Sequence, residues 1–280
     1  MMRKERVSDM KARLKFSKVG SMRFIGHLDV MRYFQKAFRR AEIEVSYSKG
    51  FSPHQLMSFA SPLGIGLSSD AEYLDVTLEK SDSPEKMTER INAVMNDEII
   101  VKDFTILDDD AKPSMAMLSA CDYMICIKPD KDNPLTDDAF ADEAVRKIKE
   151  AEKIEILKKT KRSEKIVDIK PNIYHIETDI AAFCDDTKNE YGRLEIDTSF
   201  YKPVIYCQLT SGSVVNIKPE LVLEAVMQMN GFEYNPLDYQ IHRLEMYADE
   251  TAKKGEVHLL GSEIPCKLVP LSEFGKQEMA

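Results

Sequence analysis

Polar and apolar residues alternate over residues 11–18, with Ala12, Leu14 and Phe16 on one side and Lys11, Arg13 and Lys15 on the other. A period of two predicts a half-buried strand with a basic outer surface. After a turn at Val19-Gly20-Ser21 the period changes. Leu28, Met31, Phe34 and Phe38 recur at helical spacing, which predicts a helix over 27–41 with these four facing the core. At about 100° per residue, Arg32, Lys36, Arg39 and Arg40 fall on its opposite side. Strand, turn and helix then make one continuous positive surface. Residues 47–54 are rich in turn formers and predict a loop. A short strand over 56–60 and a glycine-containing turn over 62–69 follow. Residues 72–79 alternate as a strand. Ser83-Pro84 is an N-cap followed by a first-turn proline, opening a helix that ends near Met95. Residues 98–107 are β-rich.

The order over 11–107 is β-α-β-β-α-β, the pattern of a ferredoxin-like split βαβ domain. Residues 108–113 read as a linker. The second half predicts strands over 120–128, 154–159, 165–169, 173–178, 193–198, 204–209 and 239–247, with helices over 137–151 and 219–229. The expected fold class is therefore α+β. A ferredoxin-like domain over 11–107 precedes a second, elaborated α+β sandwich over 118–248. Residues 249–280 are expected to form a loosely ordered tail.

Composition changes this picture mainly through charge. The 280 residues suffice for one large domain or two ordinary ones, and 43% hydrophobic residues support a real core. The 15 Met read mostly as packing. The net charge is −9, but residues 1–54 hold 13 Lys/Arg against 5 Asp/Glu, a local +8. The remaining 26 Lys/Arg and 43 Asp/Glu carry −17. A basic segment on an acidic chain is either a solvated face or the footprint of a polyanion. No run of about 18 apolar residues exists, so no membrane span is expected. Residues 1–6 lead into no apolar stretch, so no signal peptide is expected. Five Cys without framework spacing fit free thiols in a reducing cytoplasm.

Three residues are candidates for chemistry. His27 opens the predicted helix, where the dipole disfavours its cation, and a neutral imidazole suits a general base or acid. Asp29 lies two residues on. His54 sits beside glycine and proline in the 47–54 loop, a place where functional residues concentrate. The alternative for each is a cap, a packing residue or a turn. No His or Cys here has metal spacing, so no metal is expected. Cys121 and Cys126 fall on opposite faces of their strand. Gly64-Ile65-Gly66 is too short for a dinucleotide fingerprint, no Walker motif occurs, and no cofactor is expected. There is no C-x3-C-x2-C triplet, so the chain is not expected to be a radical-SAM catalyst by itself. Tyr47, Phe51 and Phe59 lie near the cations, as stacking surfaces for bases or as core.

Several runs carry a resemblance. They are Arg13–Lys18; Met22-Arg23-Phe24-Ile25-Gly26-His27-Leu28-Asp29 with Met31-Arg32; Arg39-Arg40-Ala41; Tyr47-Ser48-Lys49-Gly50-Phe51-Ser52-Pro53-His54; and Phe59-Ala60-Ser61-Pro62-Leu63-Gly64-Ile65-Gly66. Together they resemble the bacterial radical-SAM-linked protein family, a conserved domain of unknown function encoded beside or fused to a radical SAM protein. Weaker likeness continues through Ser211-Gly212-Ser213 and Ile241-His242-Arg243-Leu244. Gly26 stands where the family pattern has Ser. The resemblance implies a radical SAM partner and an RNA or ribosome setting.

The leading expectation is a cytoplasmic, non-catalytic RNA-binding accessory to a radical SAM enzyme that modifies tRNA or rRNA. Arg13, Lys15, Arg32, Lys36, Arg39, Arg40, Lys49 and Phe51 would contact nucleic acid, with His27, Asp29 and His54 near the rim. Two alternatives stand beside it. One is a metal-independent endoribonuclease using His27, by similarity to RNA-cleaving proteins with tandem ferredoxin-like domains. The other is a subunit that only docks its protein partner.

Overall fold

The helix anticipated from the 3.6-residue period runs over His27–Arg40 (α1), and its Val30, Phe34, Ala37 and Phe38 are buried. They pack on a strand, β1 (Met10–Lys18), through Ala12, Leu14 and Phe16. Leu28 is the exception to the expected stripe. It is 59% exposed, because it lies about 60° of helical arc beyond Met31, past the edge of the buried face.

The computed structural model describes residues 10–159, 164–253 and 255–275. After α1 come β2 (Met57–Phe59), β3 (Ser68–Leu78), α2 (Pro84–Asn92) and β4 (Ile99–Ile106). The second half contributes α3 (Ser114–Met117), β5 (Leu118–Ile127), α4 (Asp138–Glu150), β6 (Glu155–Lys159), β7 (Glu164–Asp168) and β8 (Ile173–Glu177). Then follow α5 (Ile180–Thr187), β9 (Lys202–Thr210), α6 (Pro219–Met229), β10 (Tyr239–Asp249) and β11 (Leu268–Pro270).

The protein is a mixed α+β fold around one nine-stranded sheet of order β4-β1-β3-β10-β5-β9-β8, with β2 added to β3 and β11 to β10. Leu14 is paired with Leu74 on one side and Phe104 on the other, so three apolar strands present one face to α1 and α2. In the second half, α4 and α6 cover one face through Ala144, Ile148, Val222 and Val226. The two halves share the sheet through a short parallel pairing of Ser68 with His242 and Ser69 with Arg243. β6 and β7 pair antiparallel as a separate two-stranded sheet.

Three expectations need correction. Residues 193–198 form no strand. Leu194 and Ile196 instead pack on the face bearing Met124, Phe183, Tyr206 and Leu244, which satisfies their alternation without a ladder partner. Helix α5 was not anticipated; Asp179 caps it by accepting from the Ala182 N–H at 2.9 Å, and Lys188 ends it at φ 59°. The tail is not loose where it is described: β11 pairs with β10, and Leu271 is fully buried.

Candidate functional site

Helix α1 begins after Gly26, with no side-chain cap. His27, in its first turn, is half-buried and meets the Phe59 ring edge-on, with ring centres 5.0 Å apart. A narrow cleft beside it is walled by Phe16, Lys18, Val30, Phe59 and Glu72. Burial first, and then the Lys18 charge, hold His27 below the ordinary histidine range, which disfavours its cation. Lys18 is itself buried, and its Nζ donates to the Ile25 carbonyl at 3.1 Å. Burial lowers its ammonium, against the pull of Glu72 and with the push of Arg243.

The other two candidates lie outside this cleft. Asp29 is exposed and pairs with Arg32 at 3.1 Å across one helical turn. His54 is exposed in its own loop, with Nδ1 2.8 Å from the Ser48 hydroxyl. The arrangement therefore supplies one half-buried imidazole beside a buried lysine, and neither Asp29 nor His54 joins it.

Behind the cleft lies a layer of buried charge. The Glu72 carboxylate accepts from Arg243 at 2.8 Å, and both are sealed from solvent. Burial raises Glu72 above the usual carboxylate range, while Arg243, Ser69 and Lys18 pull it back. Alongside, His242 Nε2 is 3.1 Å from Asp70, and His242 Nδ1 is 2.9 Å from the Ser68 hydroxyl. Burial pushes Asp70 up, but His242 and Lys102 outweigh it and hold the carboxyl below its ordinary range. Further along, Asp122 accepts from Tyr247 at 2.6 Å and also from Tyr191 and Asn189. Burial nevertheless raises it to about 7. Apart from His242 and Arg243, which fall within the Ile241–Leu244 run, sequence reasoning missed these groups. The available signal was the acids within strand-forming residues 70–75.

The same layer removes two residues from the expected nucleic-acid surface. Arg13 is 1% exposed. Its Nε donates to Asp75 at 2.7 Å and its Nη1 to the Leu271 carbonyl at 3.1 Å. Lys15 pairs with Glu245 at 2.5 Å, and Tyr73 donates to the same carboxylate. The polar face of β1 is thus covered at Arg13 by the C-terminal segment and paired at Lys15 with β10, while Lys11 and Lys15 stay half-buried. Phe59 belongs to the core.

What remains outward is the face of α1. Arg32, Lys36, Arg39 and Arg40 are all exposed, with Leu28 on the same stripe. Arg40 donates to the Val94 carbonyl at 2.6 Å, which steadies the C-terminal end of that stripe. Lys49 and Phe51 are exposed in the 47–54 loop, Phe51 completely. At the other end of α1, Phe24 is 60% exposed. Sequence reasoning did not single it out for contact.

Residues 11–219 match the family model DUF2344, described as an uncharacterized protein conserved in bacteria. The chain belongs to this family. The matched span includes the His27 cleft, the basic face of α1 and the Ser211-Gly212-Ser213 turn, and stops short of β10. No curated protein matches the chain. Among the described residues, no three His, Cys, Asp or Glu side chains come together as a metal set, and no helix is long and apolar enough to cross a membrane. Cys121 and Cys126 pack into cores on opposite faces of the sheet.

Proposed function

We propose that this member of the DUF2344 family is an RNA-binding accessory protein whose contact surface is the exposed face of α1. The observation that carries the reading is the isolation of four cations on one helix face. Arg32, Lys36, Arg39 and Arg40 project from a 14-residue helix whose one acid, Asp29, touches only Arg32. Exposed ion pairs of this kind are worth little, so the positive field stays available to a polyanion. The rest of the chain is acidic, which confines non-specific attraction to this segment.

The partner in this reading is a radical SAM protein, as the resemblance implies, with tRNA or rRNA as the shared ligand. We read the first half as a ferredoxin-like unit, supported by β4, β1, β3 and β2 lying side by side in that order. Its helices cover one face, with the polar side of α1 exposed. Arg13 and Lys15 have structural work in this scheme and do not touch RNA.

Salt titration of binding tests the reading. Fluorescence anisotropy with a labelled RNA should show affinity falling steeply as salt rises. Replacing Arg32, Lys36, Arg39 and Arg40 together with Ala should flatten the log–log slope by roughly 3, at about 0.7 per lost phosphate contact. A salt-independent affinity, or a slope unaltered in the fourfold variant, overturns the proposal.

A further inference from the structure

The end of α1 nearest His27 carries a feature that phosphate binding does not need. The 3-10 turn Gly20–Phe24 enters α1 through Ile25 and Gly26. Glu98 fastens this turn by accepting from the Ser21 N–H at 2.9 Å, the Met22 N–H at 3.0 Å and the Ser21 hydroxyl. Gly20 sits at φ 55°, and a Cβ there would lie 2.1 Å from the Glu98 carboxylate. The turn is therefore built tightly and holds its last two side chains in place.

Those side chains are Arg23 and Phe24. The Arg23 guanidinium lies over the Phe24 ring, 4.7 Å from its centre, and 5.8 Å from the centre of the Tyr201 ring in the second half of the chain. Its buried Nε has no hydrogen-bond partner among the described residues. One side of Phe24 is thus backed by a cation, while the side chain as a whole stays 60% exposed. The Gly66 N–H donates to the Arg23 carbonyl at 2.8 Å, bringing in the turn whose Ile65 lies against Gly26. Ile65 is 67% exposed. Leu28, 59% exposed on the α1 stripe with Arg32 and Arg39, follows Phe24 by four residues, so three exposed apolar side chains stand around the start of the cationic helix and form the candidate patch.

We infer that this patch is a stacking platform for an unpaired base, so that the proposed RNA site takes single-stranded rather than duplex RNA. The inference rests on the RNA-binding reading above. Its chemistry is specific: a base lies on the outward face of Phe24, flanked by Leu28 and Ile65, while the phosphates beyond it follow Arg32, Lys36, Arg39 and Arg40. An A-form duplex buries its base faces and would leave the platform without a ligand, whereas a single strand offers a π-face at every nucleotide. Arg23 behind the ring adds a cation–π contribution and fixes the ring's tilt.

The test compares an unstructured 12-nucleotide RNA with a blunt duplex of the same length, using wild type, Phe24→Ala and the fourfold α1 variant. Phe24→Ala should weaken single-strand binding roughly 5- to 150-fold, the range for one lost base stack. It should leave the salt slope and duplex binding unchanged. The chain has no Trp, so Phe24→Trp introduces a single tryptophan whose selectively excited emission should be quenched by the single strand and not by the duplex. Wild-type single-strand affinity in Phe24→Ala, or unquenched Trp emission, overturns the platform; the basic-face reading survives if the fourfold variant still loses its salt slope. Equal wild-type affinity for duplex and single strand overturns it too. If Phe24→Ala instead abolishes self-association in sedimentation without altering RNA binding, the patch is a protein contact and the inference fails.

Discussion

Asp122 shows how one residue sets a pH dependence that no local pattern announces. Its carboxylate lies fully buried on β5, with one oxygen crowded by Tyr247, Tyr191 and Asn189 and the other unpartnered. Burial dominates over these donors and raises it to about 7. A raised carboxyl binds its proton more tightly folded than unfolded. Its contribution is therefore full below its unfolded pKa and is lost progressively as pH rises towards about 7. Asp122→Asn keeps an acceptor for the tyrosines and removes the ionisation. The variant should gain stability over wild type as pH rises from 4 to 8, by on the order of 4 kcal/mol at the top of the range. Thermal melts across that range check it, and a difference that does not grow with pH refutes the assignment.

At the scale of the element, α1 separates packing from recognition. Phe34 is fully buried and touches the Phe16 and Phe59 rings edge-on, at 4.7 and 6.0 Å between centres. Phe34→Ala should cost about 3–5 kcal/mol by loss of transfer energy and opening of a cavity. Leu28→Ala, on the exposed stripe, should change stability by no more than about 0.5 kcal/mol. Urea denaturation of the two variants distinguishes them. The pair matters because periodicity placed both on the same face. Hydrophobic spacing reads the centre of a buried stripe well, but it blurs at the edges, where about 60° of arc separates a packed side chain from a solvated one. An apolar residue at such an edge is also where an apolar contact surface begins.

At the scale of the whole molecule, Arg13 is a tie between distant parts. It joins β1 to Asp75 on β3, to the Leu271 carbonyl near the C-terminus and to the Lys112 carbonyl between the halves, at 2.7 to 3.1 Å. Arg13→Met preserves bulk but leaves Asp75 with only the Ser114 N–H as donor and takes the guanidinium from two carbonyls. It should destabilise by about 3–5 kcal/mol, as expected when one partner of a buried ion pair is removed. Lys36→Ala should leave stability unchanged within about 0.5 kcal/mol while weakening RNA binding. Denaturant midpoints and anisotropy on both variants would expose the two roles of residues that look alike in the primary structure.

Much of this architecture is legible in the sequence. The α+β class, α1, the core strand β1 and the exposed cations from Arg32 to Arg40 follow from short-range periodicity, because a side chain's face depends only on its neighbours along one element. α6 was legible to the residue, with Pro219 marking its start. The fate of each polar face was not legible. Alternation in β1 reports that Arg13 and Lys15 point away from the hydrocarbon core, and it is silent on whether water or a carboxylate waits there. That answer depends on Asp75, Glu245 and Leu271, which lie 62 to 258 residues away and arrive only when the chain closes its sheet. The Phe24 platform has the same origin: Arg23 and Phe24 are adjacent in sequence, but Tyr201 and Gly66 reach them only through folding.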